Sequence, residues 1–218
     1  MNAKKRVSLL LLCAIPALYA ESQEPFSGFV VGLNLGADLL TGSNKYESPT
    51  GAGESSLRKI GMAYGLSFGY MKLMPSKVLW GGEVYYTVRS TKATQNMFTT
   101  MGEGTLTVQH KNSMGIAALV GMAANPRLVA YGKFALESNM FDMSYKSLAR
   151  GAQDKSEKKR ILGMIPGAGM MYKLSDSILV GIEYAYAVMK ELKTDAGAVK
   201  SSYKPAQNRL MANIRYLF

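Results

Sequence analysis

The sequence predicts an all-β chain: eight antiparallel strands closed into an up-and-down transmembrane β-barrel, preceded by a cleavable signal peptide. Three observations predict it. The stretch from Leu210 to Phe218 sets Leu210, Ala212, Ile214, Tyr216 and Phe218 against Met211, Asn213, Arg215 and Leu217, an apolar row backed by a more polar one. Seven earlier segments repeat that two-residue period, with large apolar residues on one face and glycine, alanine and charges on the other. Such a strand suits lipid outside and a narrow polar lumen inside. A soluble barrel of the lipocalin type would place its large apolar residues inside and its charges outside. The third observation is the amino terminus.

Lys4, Lys5 and Arg6 form a basic start, Val7 to Leu18 is almost wholly apolar, and Ala20 precedes the polar run Glu21-Ser22-Gln23-Glu24. This reads as a secretory signal peptide over residues 1–20, too short and wrongly flanked for a spanning helix, with the barrel domain over 21–218. A lipid attachment at Cys13 is disfavoured, because Leu12 is larger than the small residue such sites carry. Cleavage removes the only cysteine and three of the 26 cations, leaving 23 against 15 acids, a net charge of +8. The remaining chain then offers neither a disulfide framework nor a thiol nucleophile.

The first strand is expected over about 28–40, with Phe29, Val31, Leu33, Leu35, Ala37 and Leu39 outward and Asn34 and Asp38 inward. The second, 58–73, sends Ile60, Met62, Tyr64, Leu66, Phe68 and Tyr70 outward over inward glycines. The third, 78–89, alternates Trp80, Val84, Tyr86 and Val88 with Glu83, Tyr85, Thr87 and Arg89. The fourth, about 105–122, sets Met114, Ile116, Ala118 and Val120 against Lys111, Ser113, Gly115 and Ala117. In the fifth, 128–141, Phe134, Leu136 and Met140 face out and Lys133 and Glu137 in. The sixth, 161–174, places Leu162, Met164, Met170 and Tyr172 outside, and Pro166 predicts a local bulge, since proline cannot donate to a ladder. The seventh, 178–188, carries Val180, Ile182, Tyr184 and Tyr186 opposite Glu183, and the eighth is the terminal segment. Small inward residues are expected because about eight strands leave room for little more than side chains.

Connections alternate in length. Pro75-Ser76-Lys77, Asn125-Pro126-Arg127 and Ser175-Asp176-Ser177 are tight turns. Long polar loops are expected at about 41–57, 90–104, 142–160 and 189–204. Tyr70, Trp80, Tyr172, Tyr216 and Phe218 fall near the short turns, where they form an aromatic girdle.

On these residues, on Gly81-Gly82-Glu83-Val84-Tyr85-Tyr86 and Val180-Gly181-Ile182-Glu183-Tyr184, and on the terminal aromatic, the chain resembles the small eight-stranded outer-membrane barrels. These are the OmpA-type transmembrane domain and the opacity-like surface proteins. The resemblance covers essentially all of 26–218 and leaves no residues for a periplasmic domain after the barrel. It implies the outer membrane of a Gram-negative bacterium, signal-dependent export, passage with periplasmic chaperones, and a barrel-assembly machinery that reads Ile214, Tyr216 and Phe218.

Enzyme parts are sparse. The single histidine, His110, lies at the outer end of the fourth strand. Lipid A deacylases of barrel type carry a His and a Ser two residues apart, whereas Ser113 is three away, which predicts opposite faces. One histidine and no mature cysteine build no metal cluster, and Gly163 to Gly169 lacks the Lys-Ser/Thr of a phosphate loop. No enzyme activity and no cofactor or metal is expected.

The inward charges Glu83, Lys133, Glu137, Glu183 and Arg215 are expected to pair across the lumen, because an unpartnered buried charge is costly. Paired, they make a plug; solvated, they line a narrow selective pore. The expected outer loop 142–160 holds six cations (Lys146, Arg150, Lys155, Lys158, Lys159, Arg160) against three anions. Beside the anionic outer leaflet, such a patch is expected to meet lipopolysaccharide phosphates or external polyanions such as host glycans. Nucleic acid fits the charge but not the export signal. Two function classes follow, a structural or surface-interaction barrel and, alternatively, a small porin for passive diffusion.

Overall fold

The computed structural model describes residues 25–48, 51–99, 102–147, 155–196 and 199–218. Ten strands form one sheet: β1 (Gly28–Ser48), β2 (Gly51–Leu73), β3 (Val78–Arg89), β4 (Lys92–Thr99), β5 (Gly102–Asn125), β6 (Leu128–Ser147), β7 (Lys155–Lys173), β8 (Ile178–Met189), β9 (Leu192–Ala196) and β10 (Val199–Leu217). β4 continues β3, and β9 continues β8, each after a two-residue break, so the ten strands make eight staves. All neighbours are antiparallel, and β10 pairs back onto β1 from Val30↔Leu217 to Glu47↔Lys200. The sheet is thus a closed barrel, without the free edge that a flat sheet must protect.

The pairing also fixes the tilt. Following partners once round leads from Asp38 through Arg209, Ala185, Gly167, Lys133, Leu119, Gly81 and Met71 to Gly28, ten residues lower on β1. With a rise of about 3.3 Å per residue and a strand spacing of about 4.8 Å, a stagger of ten over eight staves tilts each strand by about 40°.

Alternation does what the sequence requires. Leu33, Leu66, Val84, Ile116, Leu136, Met164, Ile182 and Ile214 are exposed on the outer face, whereas their chain neighbours turn into the lumen. At the short-turn rim Tyr70 stands between Phe29 (ring centroids 5.2 Å apart) and Trp80 (6.2 Å), and Tyr216 meets Phe218 edge-on at 4.8 Å. The turns close locally. Lys77 takes a left-handed φ of 65°, and the Asn125 side chain accepts from the Arg127 amide at 2.8 Å.

Two sequence expectations need correction. The segments expected as long loops are mostly strand: β1 and β2 stay paired to Ser48↔Gly51, β4 and β5 to Thr99↔Gly102, and β6 and β7 to Tyr145↔Lys155. Above the apolar band both faces of a hairpin are wet, so its polar residues lose the alternation that marks a strand. Pro166 makes no bulge. β7 keeps one register with β8 on either side of it, at Met164↔Val188 and Gly167↔Ala185, and only the intervening pairs are missing. A one-residue slip would have turned the rest of β7 inside out. The irregularities fall instead in β5, at His110/Asn112 and Ala123/Asn125.

Candidate functional site

The inward face is filled in layers. At the short-turn end lies an apolar cluster that includes Phe26, Leu73, Leu79, Leu119, Val129, Tyr131, Leu179 and Leu217. Phe26 precedes β1, takes a left-handed φ of 64° and buries its ring completely beneath the strands.

Above that cluster four of the five expected lumen charges meet. Lys133 Nζ lies 2.6 Å from Glu83 Oε1 and 2.8 Å from Glu183 Oε1, and Arg215 Nη1 lies 3.2 Å from Glu83 Oε2. Tyr131 donates its hydroxyl to Glu183 at 3.1 Å. Two carboxylates face two cations, so this tier is neutral.

Glu137 is not among them. It stands four residues above Lys133 on β6, about 10 Å higher at this tilt, in a second tier. There Arg209 grips it through two bonds of 2.7 Å, Tyr85 donates to it at 2.8 Å, and Arg89 approaches to 3.5 Å. Arg89 Nε donates to Asp38 at 2.6 Å, its Nη1 donates to Ser113, and Arg209 also donates to Gln207. Asp38 and Glu137 against Arg89 and Arg209 again sum to zero. Sequence reading placed Asp38 and Arg89 on inward faces without joining them to Glu137. It missed Arg209 altogether, although the parity of Met211, Asn213 and Arg215 extends to it.

The tiers are tied by tyrosines seated on glycines. A Cβ on Gly115 would lie 2.6 Å from the Tyr85 ring, and one on Gly169 would lie 2.7 Å from the Tyr131 ring. Only glycine therefore lets each ring lie flat and aim its hydroxyl at a carboxylate. Tyr85 also presents its face to Lys133 Nζ, 5.1 Å from the centroid, so it bridges both tiers. A further apolar cluster runs from Ala117, Ala135 and Ile165, between the tiers, up to Val108, Phe141 and Met143 above the upper one.

His110 requires a correction. The β5 irregularity makes both Lys111 and Asn112 face outward, which restores His110 and Ser113 to the same inner face. His110 is fully buried and stacks on Phe141 at 4.4 Å, while the Ser113 hydroxyl is engaged by Arg89. The two side chains make no hydrogen bond with each other among the described residues.

The basic patch is also rearranged. Arg150 lies outside the described residues, and Lys146 and Lys155 fall on β6 and β7 with side chains outside the description. Lys158 and Arg160 face outward, whereas Lys159 turns to the other face, 3.2 Å from Glu157. Lys158, Lys159 and Arg160 thus lie on the two faces of a strand rather than in a loop. Ile214, Tyr216 and Phe218 share the outer face at the short-turn end.

A family model for the outer membrane protein β-barrel domain matches residues 7–206. The chain belongs to this family. Membership places the barrel in the outer membrane of a Gram-negative cell. No curated protein matches the sequence. Among solved structures, the outer membrane protease OmpT from Escherichia coli is similar at 8% identity and a TM-score of 0.54, over 91% of this chain and 99% of that one. OprG from Pseudomonas aeruginosa is similar at 14% identity and a TM-score of 0.52, over 90% and 99%. Neisserial surface protein A gives 18% identity and a TM-score of 0.46, over 88% and 98%. At these identities OmpT and OprG share a fold with this outer-membrane barrel, and the likeness extends no further.

Proposed function

We propose that this protein is a closed, non-conducting barrel that acts as a structural and surface-interaction element of the outer membrane. The observation that carries this reading is the filled lumen: two neutral ion-pair tiers, with apolar side chains below, between and above them. An ion entering from either rim must leave water for apolar surface before it reaches a charge, and must then displace a paired partner.

In this reading residues 1–20 direct export, and periplasmic chaperones deliver the chain to the barrel-assembly machinery through Ile214, Tyr216 and Phe218. The long hairpins face outward, where their cations meet lipopolysaccharide or external polyanions, and no cofactor takes part. Planar-bilayer recording on refolded protein tests the central point. The expected result is no discrete conductance, and reproducible channel steps would replace this reading with a small porin.

A further inference from the structure

Just above the upper tier the barrel wall stops being continuous. β3 gives way to β4, which pairs with β5 alone, after a bond of 3.0 Å from the Ser90 amide to Met62 O on β2. On the other side β7 and β8 part after Gly163↔Met189 and a bond of 3.2 Å from the Lys190 amide to Leu162 O, and β9 pairs with β10 alone. Among the described residues two leaves therefore rise with no ladder between them: β4, β5, β6 and β7 form one, and β2, β1, β10 and β9 form the other. What joins them at the base is side-chain packing. Ala93, Val108, Phe141 and Met143 of the first leaf share an apolar cluster with Ala187 and Met189 of β8, which is itself paired to β10.

His110 sits in this joint. Its ring is fully buried and stacks on Phe141 at 4.4 Å, and neither ring nitrogen makes a hydrogen bond among the described residues. The Asn139 amide stands beside the ring, yet its Oδ1 is also without a partner. So are the hydroxyl of Thr91, across the ladder from His110, and Nε2 of Gln207. All four side chains have no accessible surface, which leaves no space for a water to serve them. Below the ring the inward charges are Asp38 on β1, Arg89 on β3, Glu137 on β6 and Arg209 on β10, already paired with one another. Above it, Lys59 on β2 and Glu157 and Lys159 on β7 share its inward parity and reach water, the last two 3.2 Å apart. β4 and β8 add no inward charge among the described residues. On β5 itself Lys111 turns outward to Asp142 at 2.8 Å, which pins the extra residue that keeps His110 inside. A proton on the imidazole would bring a third cation to a tier whose two carboxylates are taken, so the sealed joint holds the ring neutral.

We propose that His110 makes this joint an acid-released latch. Neutral, the ring packs the two leaves together; protonated, it leaves the joint, and the leaf of β4, β5, β6 and β7 parts from the mouth of the lumen. The ion-pair tiers beneath stay closed, so the latch changes the outer surface without opening a pore. An exposed histidine takes up a proton at about pH 6.5. Above that value both states are neutral. Below it the released state binds one proton more than the sealed one, so release gains about tenfold per pH unit. Exposed carboxylates titrate near about pH 4, which leaves the range from about 6.5 down to 5 to the histidine.

Hydrogen exchange of the full mature barrel in lipid nanodiscs tests this, read by mass spectrometry from pH 7.5 to 5.0 and corrected for the intrinsic amide rates. Protection over residues 105–110 should fall about tenfold per pH unit below about 6.5, while protection over 116–122 stays constant. His110→Phe keeps a ring against Phe141 and cannot take up a proton, so its protection should not change over the range. His110 is the only histidine of the chain, so its imidazole nitrogen resonances give a second reading on the unaltered protein. They should stay those of a neutral ring for as long as 105–110 remain protected. Flat protection in the wild type, or the same acid loss in His110→Phe, would overturn the latch. So would an imidazole that charges at about pH 6.5 while 105–110 stay protected.

Discussion

Lys133 is the side chain whose loss should cost the lumen most. Its ammonium lies 2.6 Å from Glu83 and 2.8 Å from Glu183, with only 11% of the side chain exposed. Changing Lys133→Met keeps the length of the side chain and removes its charge. Glu83 still has Arg215 at 3.2 Å, but Glu183 is left with only the Tyr131 hydroxyl at 3.1 Å. One buried carboxylate is thus stranded, and the expected loss is about 3–5 kcal/mol. Adding Glu183→Gln removes the stranded charge and preserves an ion pair that already exists, so it should restore about 2 kcal/mol or more. Adding Glu83→Gln instead should restore less, because it dissolves the pair with Arg215. Denaturant unfolding in lipid vesicles, followed through the only tryptophan, Trp80, reads all members of the cycle. The apolar clusters remain in every variant, so none should conduct. If Lys133→Met lies within about 1 kcal/mol of wild type and the double changes are additive, the charges are solvated and the reasoning fails.

Three further outcomes follow from other parts of the barrel. Arg at Val84 or Leu66, both outward near mid-height, should cost roughly 2–4 kcal/mol in the same unfolding assay, whereas the inward Ser67→Thr should cost well under half of that. Gly115→Ala should destabilise by about 1–3 kcal/mol, because its Cβ would meet the Tyr85 ring at 2.6 Å, and Tyr85→Phe should not relieve the clash. Deleting Phe218 should lower the amount of heat-modifiable, membrane-inserted barrel recovered from cells, and unchanged recovery would show that the terminal aromatic is not read during assembly.

The sequence was most informative where the physics is local. A strand with lipid on one side and lumen on the other must alternate, and each residue declares its face by its own size and polarity. The membrane-spanning part of all eight staves was therefore legible from Phe29, Leu66, Val84, Ile116, Phe134, Met164, Ile182 and Ile214, each flanked by small or polar neighbours. The upper hairpins were not legible in residues such as Thr41, Gly42 and Ser43, because water on both faces removes the contrast that alternation needs.

What the sequence by itself determined was which residues face inward; which of them meet was decided by the tertiary structure. Glu137 and Lys133 share a face of β6, yet they belong to different tiers, because a stagger of ten residues brings Arg209 level with one and Glu183 level with the other. That stagger is a sum over every pairing round the barrel, and no single strand contains it. The same holds for His110, whose side depends on one extra residue at Lys111. Parity is written strand by strand, whereas register emerges only when the last strand closes on the first.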